Sequence, residues 1–168
     1  MDSDLLDEAI HRDKYILTEK ELTFRTVREH QVQVPVYILD GPGSVKDFMG
    51  ELFDKCPVET LYALALSSSN QFLGFLKLSQ GTVDRAAVYP RGLLSFLLVE
   101  TNATGVILTH NHPGGSAKAS REDITLTRRL ECLLRELDVR LLDHLIYAPG
   151  TLGKEPSWVS LREEGILE

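Results

Sequence analysis

The chain has 168 residues, of which 43% are hydrophobic and 26% are charged, and its formal net charge is −7. This composition is that of one soluble domain with a real core, and the negative charge argues against tight direct binding of nucleic acid, which depends on clustered Lys and Arg. The N-terminus is acidic where a signal peptide would be basic, and no apolar run approaches the ~18 residues of a membrane span. We therefore expect a cytoplasmic protein without a membrane segment.

Residues 1–43 form an N-terminal extension that contains no motif of clear chemical meaning. Loose alternation and β-branched or aromatic residues over 20–28 and 31–39 predict a pair of strands there. A Gly-Pro-Gly sequence at 41–43 then breaks the chain.

In the rest of the chain, predicted helices alternate with predicted strands. Capping patterns, apolar periodicity and turn residues predict these elements in chain order: a helix from Ser44 to about Phe53, strands over 57–66 and 72–78, a helix starting at Pro90, a strand over 104–109, a helix from Ser120 to about Leu137, and a strand over 139–147. This order is typical of a mixed sheet with helices packed on it, an α/β fold.

One segment, from Thr109 to Asp123, holds three good metal ligands. His110 and His112 follow the predicted strand, and residues two apart in an extended chain face the same side. Pro113 and two glycines then turn the backbone away, and Asp123 lies in the first turn of the next helix. Two imidazoles and a carboxylate are the ligands of catalytic zinc sites, which keep a fourth position for water. We therefore predict Zn²⁺ as the cofactor.

These residue types also have structural interpretations. Ser120 and Asp123 have the spacing that caps a helix N-terminus, and a lone histidine is more often structural than a ligand. Two histidines at spacing two, followed by a Gly-rich turn and a helix-initial acid, favour the metal site. In the last predicted strand, Asp143 and His144 should point to opposite faces. One of them could support a metal-bound histidine, although a fold-stabilising role is the simpler interpretation for both.

The combination of His110, His112, Ser120 and Asp123 resembles the JAMM (MPN+, or JAB) metalloprotease motif, and its neighbourhood resembles the RadC branch of that superfamily. The other matching segments are Gly81-Thr-Val-Asp84, Pro90-Arg91, His110-Asn-His-Pro113 and Asp143-His144. The resemblance covers roughly Pro57 to Gly150, and the agreement in order and spacing makes it specific.

The resemblance implies a three-layer α/β/α fold with a mixed sheet, related to the cytidine deaminase architecture. It implies a RadC-like JAMM/MPN domain over residues 44–150, with 151–168 as a C-terminal tail packing on it. A deaminase itself would need His-x-Glu and Pro-Cys-x-x-Cys sequences, which the chain does not contain.

A JAMM site also needs an upstream glutamate that takes a proton from the metal-activated water. In RadC-like sequences this residue stands just before the strand that leads into the Gly-Thr turn, a position that Glu59 occupies here. The residue pattern alone does not select it over Glu51 or Glu100. In the same mechanism Ser120 donates a hydrogen bond to the oxyanion that forms.

We expect a zinc-dependent hydrolase, a peptidase or isopeptidase acting on a protein or peptide substrate. The alternative is a DNA repair or mobile-element accessory protein without peptidase activity, for which Arg121, Arg128 and Arg129 offer a small basic patch. A third interpretation is a catalytically silent scaffold, against which the intact ligand set speaks. An apolar edge strand could pair two chains as a homodimer.

Overall fold

A single mixed sheet organises the computed structural model, which describes residues 14–16, 37–81, 88–150 and 155–167. Its strands are β1 (Lys14–Ile16), β2 (Thr60–Leu66), β3 (Phe72–Gln80), β4 (Gly105–Asn111), β5 (Arg140–Ala148) and β6 (Ser157–Ser160). They lie in the order β1-β3-β2-β4-β5-β6. Strands β4 and β5 are parallel, and the other neighbouring pairs are antiparallel.

Three helical segments pack on this sheet within the described residues: α1 (Pro42–Asp54), α2 (Pro90–Leu94), which continues as a π-helix (Ser95–Glu100), and α3 (Arg121–Arg135). Proline opens both α1 and α2, where its missing N–H costs no hydrogen bond. Ser120 caps α3 by accepting a hydrogen bond from the Asp123 amide. No helix of this part of the chain combines the length and apolarity needed to cross a bilayer.

The helices divide between the two faces of the sheet. In β2, Leu61, Ala63 and Ala65 belong to the core beneath α2 and α3, whereas Tyr62, Leu64 and Leu66 pack with the apolar side chains of α1. This period of two is what a strand produces when both of its faces are covered. The result is the three-layer α/β/α arrangement with a mixed sheet, which confirms the predicted fold class.

The structure differs from the sequence-based expectations at two places, and a third expectation is not tested. Strand β4 continues through His110 and Asn111, because Asn111 still pairs with Tyr147 of β5. The helix that begins at Pro90 widens into the π-helix, where Thr101 bonds the Phe96 carbonyl oxygen through both its amide and its hydroxyl. The predicted strand pair over 20–28 and 31–39 falls almost entirely outside the described residues.

Leu108 of the central strand β4 is fully buried, so Leu108→Ala should lower the free energy of unfolding by about 2–5 kcal/mol through lost burial and a residual cavity. Leu98→Ala is the matched control, because Leu98 is 39% exposed and should change stability by only about 0.5 kcal/mol. Urea denaturation followed by circular dichroism measures both. Equal losses in the two variants would contradict the assigned core.

Candidate metal centre

The end of β4 and the start of α3 bring three potential metal ligands together. His110 and Asp123 are buried, and His112, one residue past the strand, is partly exposed. The Nε2 atoms of the two histidines lie 2.9 Å apart. The Asp123 Oδ1 atom is 3.4 Å from His110 Nε2, and its Oδ2 atom is 3.5 Å from His112 Nε2. Side chains from the end of a strand and from the start of the following helix therefore meet at one point.

These separations suit a metal ion. Ligand atoms placed 2.0–2.2 Å from a tetrahedral zinc would be about 3.3 Å apart, close to the distances found between the three side chains. The ligand atoms of the cluster are ring nitrogens and carboxylate oxygens. Acceptors in such close contact repel one another unless positive charge lies between them. The cluster is therefore compatible with a metal ion on both spacing and chemistry.

The ionisation behaviour of the cluster shows the same demand for positive charge. A hydrogen bond with Asp123 raises the pKa of His112 above its ordinary value, despite partial burial. Burial opposes ionisation of the Asp123 carboxyl, but its contacts with the His110 and His112 rings outweigh burial and hold the pKa of Asp123 far below its usual range. A carboxylate that stays charged in a buried site is a strong cation ligand.

The tautomer of His112 is fixed by its outer ring nitrogen. His112 Nδ1 lies 2.8 Å from the carbonyl oxygen of Ser116, which can only accept, so Nδ1 carries the hydrogen. The turn between the two residues includes Gly115 with φ of 81°, a conformation that glycine adopts without strain. A neutral His112 therefore presents the lone pair of Nε2 to the cluster.

A longer chain of hydrogen bonds fixes the tautomer of His110. The Thr127 hydroxyl donates to the Asp123 carbonyl oxygen at 2.6 Å, and so it accepts from His144 Nδ1, also at 2.6 Å. Burial, reinforced by nearby His110, lowers the pKa of His144 well below its ordinary value, so the ring is neutral. His144 Nε2 then accepts from His110 Nδ1 at 2.8 Å. A neutral His110 with its hydrogen on Nδ1 therefore presents the lone pair of Nε2 to the cluster.

Glu59 joins the same group from the entry to β2. Its carboxylate and the ligand atoms of the two histidines and Asp123 all lie within 4.8 Å of one another. Leu61 pairs with His110 across the β2–β4 ladder, which carries Glu59 to this end of the sheet. The residue pattern left Glu51 and Glu100 as alternatives, but neither belongs to this four-residue cluster.

Comparison with known families agrees with this geometry. The family model described as "RadC-like JAB domain" matches residues 39–166. The chain belongs to this family. The resemblance to RadC-like JAMM proteins that the motifs indicated is thereby confirmed.

The RadC-like chain is similar to several UPF0758 proteins. It is 37% identical to one from Methylibium petroleiphilum over 147 residues, which are 88% of this chain and 62% of that protein. It is 43% identical to one from Azotobacter vinelandii over 129 residues, 77% of this chain and 54% of that protein. A Shewanella woodyi relative is 42% identical over 132 residues, 78% of this chain and 55% of that protein. The match thus spans little more than half the length of these relatives.

The structure separates the two β5 residues considered as supports for the histidines. His144 contacts His110 directly, whereas Asp143 accepts hydrogen bonds from the Ser160 hydroxyl and the Arg162 amide. Asp143 therefore ties β5 to β6 and the turn that follows, which is a fold-stabilising role. Its hydrogen bonds to Ser160 and Arg162 point away from the role of supporting a histidine.

Sequence reasoning did not single out Thr127 or Ser116, which orient the two histidines. Thr127 lies four residues after Asp123 on α3, a spacing that places both on one helix face. That spacing is a usable signal only when a buried histidine is known to face the helix. Ser116 contributes its backbone oxygen, and no side-chain pattern could have identified it.

Thr127→Val keeps the side-chain shape but removes the hydroxyl that orients His144 and, through it, His110. We expect zinc affinity to fall about 10- to 100-fold, the usual effect of losing a group that supports a metal-bound histidine. Competition with a chromogenic chelator measures the affinity. Thr125→Val is the matched control, because the Thr125 hydroxyl also bonds a carbonyl oxygen one turn back, at 2.8 Å, but is exposed. Equal affinities in the two variants would show that the relay does not support the site.

Proposed function

We propose that this RadC-like chain is a zinc-dependent hydrolase that cleaves an amide bond in a protein or peptide, as a peptidase or isopeptidase. The observation that supports this function best is the convergence of two imidazole nitrogens and a buried carboxylate, with the carboxylate of Glu59 within 4.8 Å. Such a site combines metal ligands with an acid–base group. A purely structural zinc site would be closed by four protein ligands, usually including cysteines.

In this proposal His110, His112 and Asp123 hold the ion through Nε2, Nε2 and a carboxylate oxygen. Zinc accepts this mixed nitrogen and oxygen set, and when bound it would lower the pKa of its water ligand and polarise the substrate carbonyl. The free cysteines are not alternatives, because Cys56 and Cys132 lie outside the cluster.

Glu59 acts as the general base and then as the general acid. Its carboxylate accepts a proton from the attacking water and returns it to the leaving amine, so one side chain serves both halves of the reaction. Glu59 is partly exposed, as is His112, whereas His110 and Asp123 are buried. The substrate therefore approaches from the side of Glu59 and His112.

Ser120 supplies the hydrogen bond to the oxyanion. In the structure its hydroxyl donates to Asp123 Oδ2 at 2.5 Å and accepts from the Asp123 amide at 3.1 Å, the arrangement of a capping box. A metal ion held by Asp123 would make its oxygen a weaker acceptor for this hydroxyl. The hydroxyl proton would then be available to the negative oxygen that develops on the substrate.

The alternative of a DNA-associated protein rests on Arg121, Arg128 and Arg129, which are exposed on α3. Glu122 is exposed on the same helix, and the net charge of −7 opposes binding to phosphates. Salt-dependent binding of duplex DNA that is lost when the three arginines become Ala would support this alternative instead.

Glu59→Gln preserves the size of the side chain and removes its ability to take a proton. We expect metal content to stay at the wild-type level and kcat on a cleaved peptide or isopeptide to fall about 10²- to 10⁴-fold, the range for loss of a general base. Glu51→Gln is the control, because Glu51 is exposed on α1 and should leave kcat unchanged. Turnover by Glu59→Gln at the wild-type rate would show that Glu59 is wrongly assigned.

A further inference from the structure

Asn111, the residue between the two metal-binding histidines, is 1% exposed and uses its whole carboxamide in hydrogen bonds. Its Nδ2 atom donates to the carbonyl oxygens of Cys56 and Val58, both at 3.1 Å. Its Oδ1 atom accepts from the Thr60 amide at 2.8 Å. Because Val58 and Thr60 are the chain neighbours of Glu59, these bonds hold the backbone on both sides of Glu59.

The strand geometry explains how one segment serves two tasks. Side chains two apart on a strand share a face, and the intervening one points to the other face. His110 and His112 therefore turn toward α3, and Asn111 reaches the segment between α1 and β2 that carries Glu59. The consecutive residues His110, Asn111 and His112 thus connect the proposed metal ligands to the segment that carries the proposed general base.

The backbone of Glu59 is also held from the other neighbouring strand. The Gly81 amide, immediately after β3, donates to the Glu59 carbonyl oxygen at 2.8 Å. Val58 is 40% exposed and lies outside regular structure, so hydrophobic packing contributes little to fixing this stretch. Hydrogen bonds from Asn111, Gly81 and the Thr60 hydroxyl, which donates to the Val58 carbonyl oxygen, therefore help to fix this stretch.

We propose that Asn111 is a positioning residue that fixes Glu59 beside the metal ligands; this inference rests on the role of Glu59 in the proposed function. An amide is the side chain that this task requires, because two donors and one acceptor must act together. A Ser or Thr hydroxyl has one donor, and an Asp carboxylate would place an oxygen against two carbonyl oxygens. Loss of the three Asn111 bonds would loosen the backbone on both sides of Glu59 and so shift its carboxylate relative to the metal ligands.

The first test is a double-mutant cycle on kcat. Asn111→Ala removes all three bonds, and a displacement of about 1 Å at a catalytic group costs on the order of 10²-fold in rate. We expect kcat to fall about 10- to 100-fold with KM and zinc content near the wild-type values. In the Glu59→Gln background the same change should have no further effect, since the group that it positions is already disabled.

Two further variants keep this test decisive. Asn111→Leu retains the side-chain shape without any polar atom, and it replaces Asn111→Ala if the smaller residue does not fold. Thr109→Val is the matched control on the other side of His110, because Thr109 is fully buried and its hydroxyl has no hydrogen-bond partner in the described part of the chain. Thr109→Val should leave kcat unchanged in either background.

A second readout needs no substrate. With Co²⁺ in place of zinc, Glu59→Gln removes a negative charge beside the ion and should shift the visible absorption bands. Asn111→Ala should shift them in the same direction, and adding it to Glu59→Gln should cause no further shift. If wild type cleaves nothing but this pattern holds, the proposed function fails and the positioning role stands.

Several results would overturn the inference. One is a wild-type kcat in Asn111→Ala. Another is a double variant in which the kcat losses of Asn111→Ala and Glu59→Gln multiply, which would indicate an independent structural defect. A cobalt spectrum unaffected by Glu59→Gln would show that the carboxylate does not lie beside the ion. If the wild type is active and any of these results is obtained, the hydrolase function stands and the positioning role of Asn111 fails.

Discussion

The repulsion among three acceptors at the end of β4 is the constraint on which the site depends. His110 and His112 present nitrogen lone pairs to each other at 2.9 Å, and the Asp123 carboxylate lies 3.4–3.5 Å from both. Lone pairs at these distances repel one another unless a proton or a cation lies between them. Hydrogen bonds behind each ring keep the lone pairs facing inward, through Ser116 on one side and His144 on the other. The surrounding fold therefore maintains a cluster whose ligand atoms a bound cation would stabilise.

The sheet brings the parts of this cluster to one of its ends. Strand β4 lies between β2 and β5, so the cluster receives Glu59 from one neighbour and His144 from the other. The capped start of α3 adds Asp123 from above the sheet. Because β4 alternates its side chains between two faces, Asn111 can reach the opposite layer without disturbing the histidines. A rigid central strand is thus the common support of the candidate metal ligands and of Glu59, the proposed base.

The sequence predicted those features of the fold and of the site that depend on short-range patterns. Spacing along β4 and a helix start placed His110, His112 and Asp123 together, and the distances agree. Glu59 required the family resemblance, because three glutamates fit the pattern equally well. The contacts of Thr127 with His144 and of Asn111 with Thr60 cross 17 and 51 residues, and no local periodicity encodes such partners. The π-helix was also missed, because its apolar spacing over six residues matches that of an α-helix.

Metal content tests the central claim most directly. Elemental analysis of gently purified wild type and of His112→Ala, both after zinc has been added back and excess removed, should give close to one zinc per chain in the wild type and strong loss in the variant. The same circular dichroism spectrum from both proteins would show that the fold survives the change. Zinc absent from wild type, or bound equally by His112→Ala, would contradict the metal centre described here.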